Sequence, residues 1–159
     1  MKRINEKSLV LLLKEKGLKV STAESLTGGM IACKITSVPG ASSVIGYGFV
    51  TYSDDAKNKV LGVSKETLEK HTAVSKETAR EMAVGALNRS GSDIAVAVTG
   101  YAGPDAGKEP AGTVYLCAAR KFGAVVRTFD ERLSVEGGRE DVRKATTKRA
   151  IEALYKLAE

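Results

Sequence analysis

The opening stretch, "MKRINEKSLVLLLKEKG", sets a short leucine-rich core between charged residues. It predicts an amphipathic helix from about Asn5 to Lys16 with Gly17 as its stop. Next, "LKVSTAE" reads as a short strand that opens into a helix ending near Cys33 or Thr36, with Ser21 and Glu24 at the S-x-x-E spacing of a capping box. After the turn "VPGAS", the segment "SSVIGYGFVTYS" is dense in Val, Tyr, Phe and Thr. Its Gly-Tyr-Gly break predicts a strand with a bulge or a tight bend. Short helices follow over 54–61 and 64–70, and Ser75 caps a longer one with Met82, Ala83, Ala86 and Leu87 on one face. "DIAVAV" is a continuous small apolar run, as in a strand buried on both faces, and it empties into the loop "TGYAGPDAGKEPAG". Two strands near 111–121 and 124–133 form a hairpin at Phe122-Gly123. The last helix carries Val142, Thr146, Ala150, Ala153, Leu154 and Leu157 as its inner stripe. This order predicts an α/β fold, a three-layer α/β/α arrangement of a mixed sheet with helices on both faces.

Composition narrows the picture. A length of 159 residues suits one domain spanning 1–159, and 43% hydrophobic residues suffice for a full core. Trp is absent and aromatics make up only 5%, so that core is aliphatic and its layers pack closely on small residues. Flanked by Lys14, Glu15 and Lys16 and without a small-residue cleavage site, the start reads better as an amphipathic helix than as a signal peptide, and the expected location is cytoplasmic. Cys33 and Cys117 are isolated and read as reduced core residues, and His71 is the single histidine. Zinc is therefore not expected.

The net charge of +6 divides unevenly. Residues 1–20 hold six Lys/Arg against two Asp/Glu (+4), residues 21–136 thirteen of each (0), and residues 137–159 six against four (+2). The excess sits mostly on the first helix, without interleaved aromatics that could stack on bases. A solvated basic face explains it, so no nucleic-acid partner and no membrane are expected.

Four places carry candidate chemistry. Ser25 lies at a strand-to-helix junction, where ligands of α/β sheets bind and where unpaired N–H groups favour developing negative charge. The capping box accounts for Ser21 and Glu24 but leaves Ser25 and the pair Gly28-Gly29 unexplained. Lys57 stands in the first turn of a helix behind Asp54 and Asp55, against the helix dipole. It is either an exposed lysine or a base whose pKa is pushed down by the dipole and desolvation. Thr99, Gly100 and Gly103 open the glycine-rich loop at the carboxyl end of a strand, and without a Gly-Lys-Ser/Thr ending that loop is no P-loop. Arg139 and Arg143 begin the last helix, where an anion could bind or where Glu140 and Asp141 could simply neutralise them.

The motifs "TAES-TGG", "GFVTYS--AK", "LGV", "H-AVS", "TG-AGPD-G" and "GTV" run in order from about residue 21 to 143. In them the sequence resembles the C-terminal domain family of the competence/damage-inducible protein CinA, the nicotinamide-nucleotide amidases. The resemblance implies hydrolysis of the carboxamide of nicotinamide mononucleotide (NMN) to nicotinate mononucleotide and ammonia. It implies Ser25 as nucleophile, Lys57 as its base and Tyr52 as relay or orienting group, a Ser-Lys variant of triad logic that needs no metal or organic cofactor. Thr27, Gly28 and Gly29 would keep the junction slim against the nucleotide, while Thr99, Gly100 and Gly103 line the carbonyl or ribose and Arg139 takes the phosphate. Relatives often carry an extra N-terminal domain, which this chain is expected to lack, and the domain is expected to form a homo-oligomer, dimer or trimer. Leu26, Thr72, Tyr101 and Ala106 depart from the family pattern at a common Cys, Gly, small aliphatic and Gly. The rival expectation is a catalytically silent nucleotide-binding or regulatory module, and a competence-linked nucleic-acid binder is a third.

Overall fold

The computed structural model describes residues 3–104 and 107–159, so Ala106 and Asp105 of the glycine-rich loop lie outside the described residues. The elements are α1 (Glu6–Lys16), β1 (Val20–Glu24), α2 (Met30–Thr36), a 3-10 turn (Ala41–Ser43), β2 (Ile45–Val50), α3 (Asp54–Leu61), α4 (Lys65–His71), α5 (Lys76–Ser90), β3 (Ile94–Gly100), β4 (Thr113–Phe122), β5 (Val125–Ser134) and α6 (Arg139–Ala158). The five strands form one mixed sheet in the order β2-β1-β3-β4-β5. The first two neighbours of β1 run parallel to it, and the β3·β4 and β4·β5 pairs are antiparallel.

Local chemistry sets most of the boundaries. Asn5 caps α1 reciprocally with Ser8, and Gly17 ends it at a φ of 64°. Ser53, Ser64 and Ser75 each accept the N3 amide of the helix that follows. Thr72 ends α4 at φ 70° and ψ 170°, a region open essentially to glycine alone. This accounts for the glycine that the family pattern places there. Thr72→Gly is expected to raise stability by about 1 kcal/mol, strain relief outweighing the freedom glycine adds to the unfolded chain. Urea denaturation measures it.

The core has two halves because β3 alternates large and small. Ile94, Val96 and Val98 belong to the cluster with α1, α2 and α6, around Leu9, Leu13, Ile31 and Leu154. Ala95 and Ala97 belong to the opposite cluster with Met82, Ala83 and Leu87 of α5. Alanine there lets α5 settle close to the sheet, and Gly85 lets α5 pass over the Leu61 carbonyl, where a Cβ would collide. This is the expected three-layer arrangement.

Two local expectations change. The Ser21–Glu24 capping box does not form, because both residues lie in β1, held between β2 and β3. Ser21 Oγ instead meets Ser92 Oγ at 2.8 Å. Helix α2 begins only at Met30, capped at Gly29, so Ser25 lies in a non-helical bend rather than in a first helical turn. The break in "GYG" is a bulge, since the β1·β2 register passes over Gly46.

Candidate active site

From β1 the chain turns outward to β2 on one side, and from β2 it returns through α3, α4 and α5 to β3 on the other. The carboxyl ends of β1 and β3 therefore flank a topological switch point, the usual place for a ligand crevice. Ser25 follows β1, Thr51 and Tyr52 follow β2, and Tyr101 follows β3. A cleft of about 270 Å³ opens there, lined by Leu26, Tyr52, Gly100, Tyr101, Gly103 and Arg139 among others. A larger hollow of about 880 Å³ between the starts of α1 and α2 and the middle of α6 lies away from these strand ends and holds none of the candidate groups.

Lys57 is the central feature. It is 1% exposed, the bulkiest fully buried side chain among the described residues. Its Nζ donates to Thr51 O at 2.9 Å and Tyr52 O at 3.0 Å, and it lies 3.1 Å from Ser25 Oγ. Burial pushes the Lys57 pKa down, with the Asp54 carboxylate working in the opposite direction. A neutral amine has two hydrogens and one lone pair. In that form, with both hydrogens on the two carbonyls, the lone pair can accept the Ser25 hydroxyl proton. Two of the three expected catalytic residues are thus in hydrogen-bond contact. Tyr52 takes part through its carbonyl, while its phenol is 61% exposed and accepts from Arg139 Nη2 at 3.0 Å.

Glu24 organises the bend that presents Ser25. Its carboxylate is fully buried and accepts from Thr27 Oγ1 at 2.7 Å, Ile31 N at 2.8 Å, Ala32 N at 3.0 Å and Thr22 Oγ1 at 3.3 Å. The carboxylate thereby fills the N-terminal end of α2, so that end is not free for a ligand anion. Arg143 braces the other side, donating to Leu26 O at 3.0 Å and Thr27 O at 3.4 Å while pairing with Glu140. Gly28 and Gly29 adopt φ 57° and 100°, which is a backbone reason for two glycines in succession.

The remaining expected residues divide. Gly100, Gly103 and Arg139 line the cleft, and a Cβ on Gly100 would press against Thr113 O and Val114. Thr27 is buried with its hydroxyl on Glu24, and Thr99 is buried with its hydroxyl on Ala73 O at 2.8 Å, so neither hydroxyl is directed to the cleft. Leu26 and Tyr101, two of the departures from the family pattern, both line it. His71 stands 3.7 Å from Glu77 and does not line the cleft. Sequence reasoning did not single out Glu24 as anything but a cap or Arg143 as a brace, because their partners become neighbours only after the chain folds. Among the described residues, no group of His, Cys, Asp or Glu is placed to share a metal ion, and no helix is long and apolar enough to cross a membrane.

Similar proteins share this arrangement of chain. A CinA-like protein of Akkermansia muciniphila is 46% identical over 151 residues, 94% of this chain and 36% of that one. The chain spans little more than a third of the length of the curated relatives it matches. Among solved structures, a competence/damage-inducible protein from Agrobacterium tumefaciens superposes with a TM-score of 0.91 at 41% identity, covering 100% of both chains. A CinA superfamily protein from Klebsiella pneumoniae gives 0.90 at 35% identity over 96% of this chain and 94% of that one. With the CinA C-terminal domain matching residues 2–158, this chain belongs to that family.

Proposed function

We propose that the chain is a nicotinamide-nucleotide amidase that converts NMN and water to nicotinate mononucleotide and ammonia. The observation that carries the reading is the buried Lys57 amine, 3.1 Å from Ser25 Oγ and tethered by two backbone carbonyls. A lysine this buried, with no carboxylate hydrogen-bonded to it among the described residues, serves structure poorly, since burial of its charge is costly. It serves well as a base for a hydroxyl.

In this mechanism Ser25 Oγ attacks the carboxamide carbon as its proton passes to Lys57. The backbone N–H groups of Leu26 and Thr27 directly follow the nucleophile and have no acceptor among the described residues, so they are the chain's candidates for holding the oxyanion. The intermediate then collapses with cleavage of the C–N bond, and Lys57 returns its proton to the nitrogen as ammonia leaves. Water, deprotonated by the same amine, attacks the Ser25 ester and frees the acid and the serine hydroxyl. Arg139 at the mouth of the cleft, held by the Tyr52 phenol, suits the phosphate.

The test is to incubate the purified protein with NMN and measure ammonia together with the nucleotide product. Release of both in equal amounts supports the reading, whereas NMN binding without ammonia would leave a binding module. The pH profile adds a second constraint. The active form is the neutral amine, so kcat/KM is expected to rise with pH as the lysine loses its proton. Because burial lowers that pKa, the rise falls below the ordinary lysine value of 10.5. A profile flat through that range, with chemistry limiting, would contradict Lys57 as the base.

A further inference from the structure

Strand β5 is an outer strand of the sheet, bonded on one side only. It runs ten residues in unbroken register with β4 and contains no proline, glycine or lysine. Val125, Val126 and Phe129 are exposed along it, beside the exposed Phe122 at the end of β4. Proteins normally blunt such an edge, because its free N–H and C=O groups recruit another strand. The opposite edge, β2, is blunted: six residues long, with Gly46 in a bulge and Gly48 beyond it.

Hydrogen-bond parity shows what β5 can accept. Phe122 and Val125 close a hairpin over Gly123 and Ala124, and the closing pair of a two-residue hairpin is a hydrogen-bonded pair. Bonded and non-bonded pairs then alternate. The odd-numbered residues of β5 therefore turn their backbone groups to β4, and Val126, Thr128, Asp130, Arg132 and Ser134 turn theirs to the open edge. An antiparallel partner must pair even with even.

We propose that β5 pairs with β5 of a second copy of this chain about a two-fold axis at Phe129, joining the two sheets into one. Side chains select this register over its neighbours. An axis at Phe129 sets Arg127 opposite Glu131 twice, Thr128 opposite Asp130, Val125 opposite Leu133 and the two Phe129 rings face to face across a close, non-bonded pair. An axis at Asp130 would set two Asp130 carboxylates against each other, and one at Thr128 would leave Val125 opposite Glu131. Glu131 pairs with Arg149, Nε to Oε2 at 2.7 Å, and keeps part of its side chain exposed. Among the described residues Arg127 has no carboxylate partner. In the proposed dimer each Arg127 faces the other copy's Glu131. This inference is independent of the amidase reading.

The experiment is sedimentation equilibrium on the full chain and two variants across a concentration series. The parent is expected to sediment as a dimer. Thr128→Pro removes an N–H that points only to the open edge, so it should keep its circular-dichroism spectrum and sediment at half the parent mass. Phe129→Cys, made with the exposed Cys33 changed to Ser, should cross-link two copies on mild oxidation, because only an axis at that residue brings it against itself. A monomeric or trimeric parent would overturn the proposal, as would a folded Thr128→Pro dimer. If Thr128→Pro does not fold, the cross-link decides, and its failure in a dimeric protein overturns the register and the edge together.

Discussion

Lys57→Met is expected to lower the rate of ammonia release from NMN by about 10⁴- to 10⁶-fold, the scale on which serine hydrolases lose activity when a member of the nucleophile–base unit is removed. Methionine matches lysine in length and can fill the buried slot, but it has no lone pair of comparable basicity and no N–H for Thr51 O and Tyr52 O. Lys57→Arg should be as inactive, because a guanidinium stays protonated throughout the working pH range and cannot accept the Ser25 proton. An exposed lysine with an electrostatic role would tolerate arginine, so this pair of variants separates a base from a mere positive charge.

The same lysine ties activity to stability, with a definite sign. Its folded pKa is lowered by burial, so between that value and 10.5 the unfolded chain binds the proton that the folded chain has released. Over that window the parent's unfolding free energy rises with pH. The cost of burying the charge is greatest below the folded pKa and is relieved as pH climbs toward 10.5. Lys57→Met should remove this part of the slope, which urea titrations at a series of pH values would show against the parent.

Glu24→Gln is expected to cost on the order of 3 kcal/mol or more, a fall of roughly 6–12 °C in Tm for a chain of this size. The reason lies in what faces each oxygen. Oε1 accepts from Thr27 Oγ1 and Ile31 N, and Oε2 from Ala32 N and Thr22 Oγ1. A threonine hydroxyl can rotate to adapt, but a backbone N–H cannot. Whichever side the amide NH2 takes, it meets a fixed donor and leaves an N–H of α2 unpaired in a dry site. Because Ser25 is the next residue, kcat should also fall at temperatures where the variant remains folded. A thermal melt alongside steady-state rates well below Tm distinguishes the two losses. If Glu24→Gln melts like the parent, the carboxylate does not hold the bend.

How much of this could be read beforehand depended on how local the controlling interactions are. The start of the first helix near Asn5, the Gly17 stop, the buried run of β3 and the β4–β5 hairpin rest on neighbouring residues, and the sequence patterns place each of them close to the observed bounds. Ser21 and Glu24 carry the letters of a capping box, yet pairing with β2 and β3 claims them for the sheet, since a central strand outweighs a local spacing signal. Gly28 and Gly29 invited a ligand-approach reading. Their positive φ values give a backbone reason that letters alone do not disclose. Ser25 and Lys57 were identifiable as residues, and their side chains come within 3.1 Å of each other. By contrast, the hydroxyl of Thr99 and the phenol of Tyr52 take partners 26 and 87 positions away, and no periodicity encodes those choices.

The measurement that bears most directly on the central claim is the rate of ammonia release from NMN by Ser25→Ala beside the parent, with circular dichroism to verify the fold. Ser25 Oγ is the atom to which the buried amine points, and alanine removes it with little other change. Turnover in the parent with a loss of about 10³-fold or more in the variant is the predicted result. A folded Ser25→Ala protein that releases ammonia at the parent's rate would contradict the account, because the buried Lys57 would then have no nucleophile to activate.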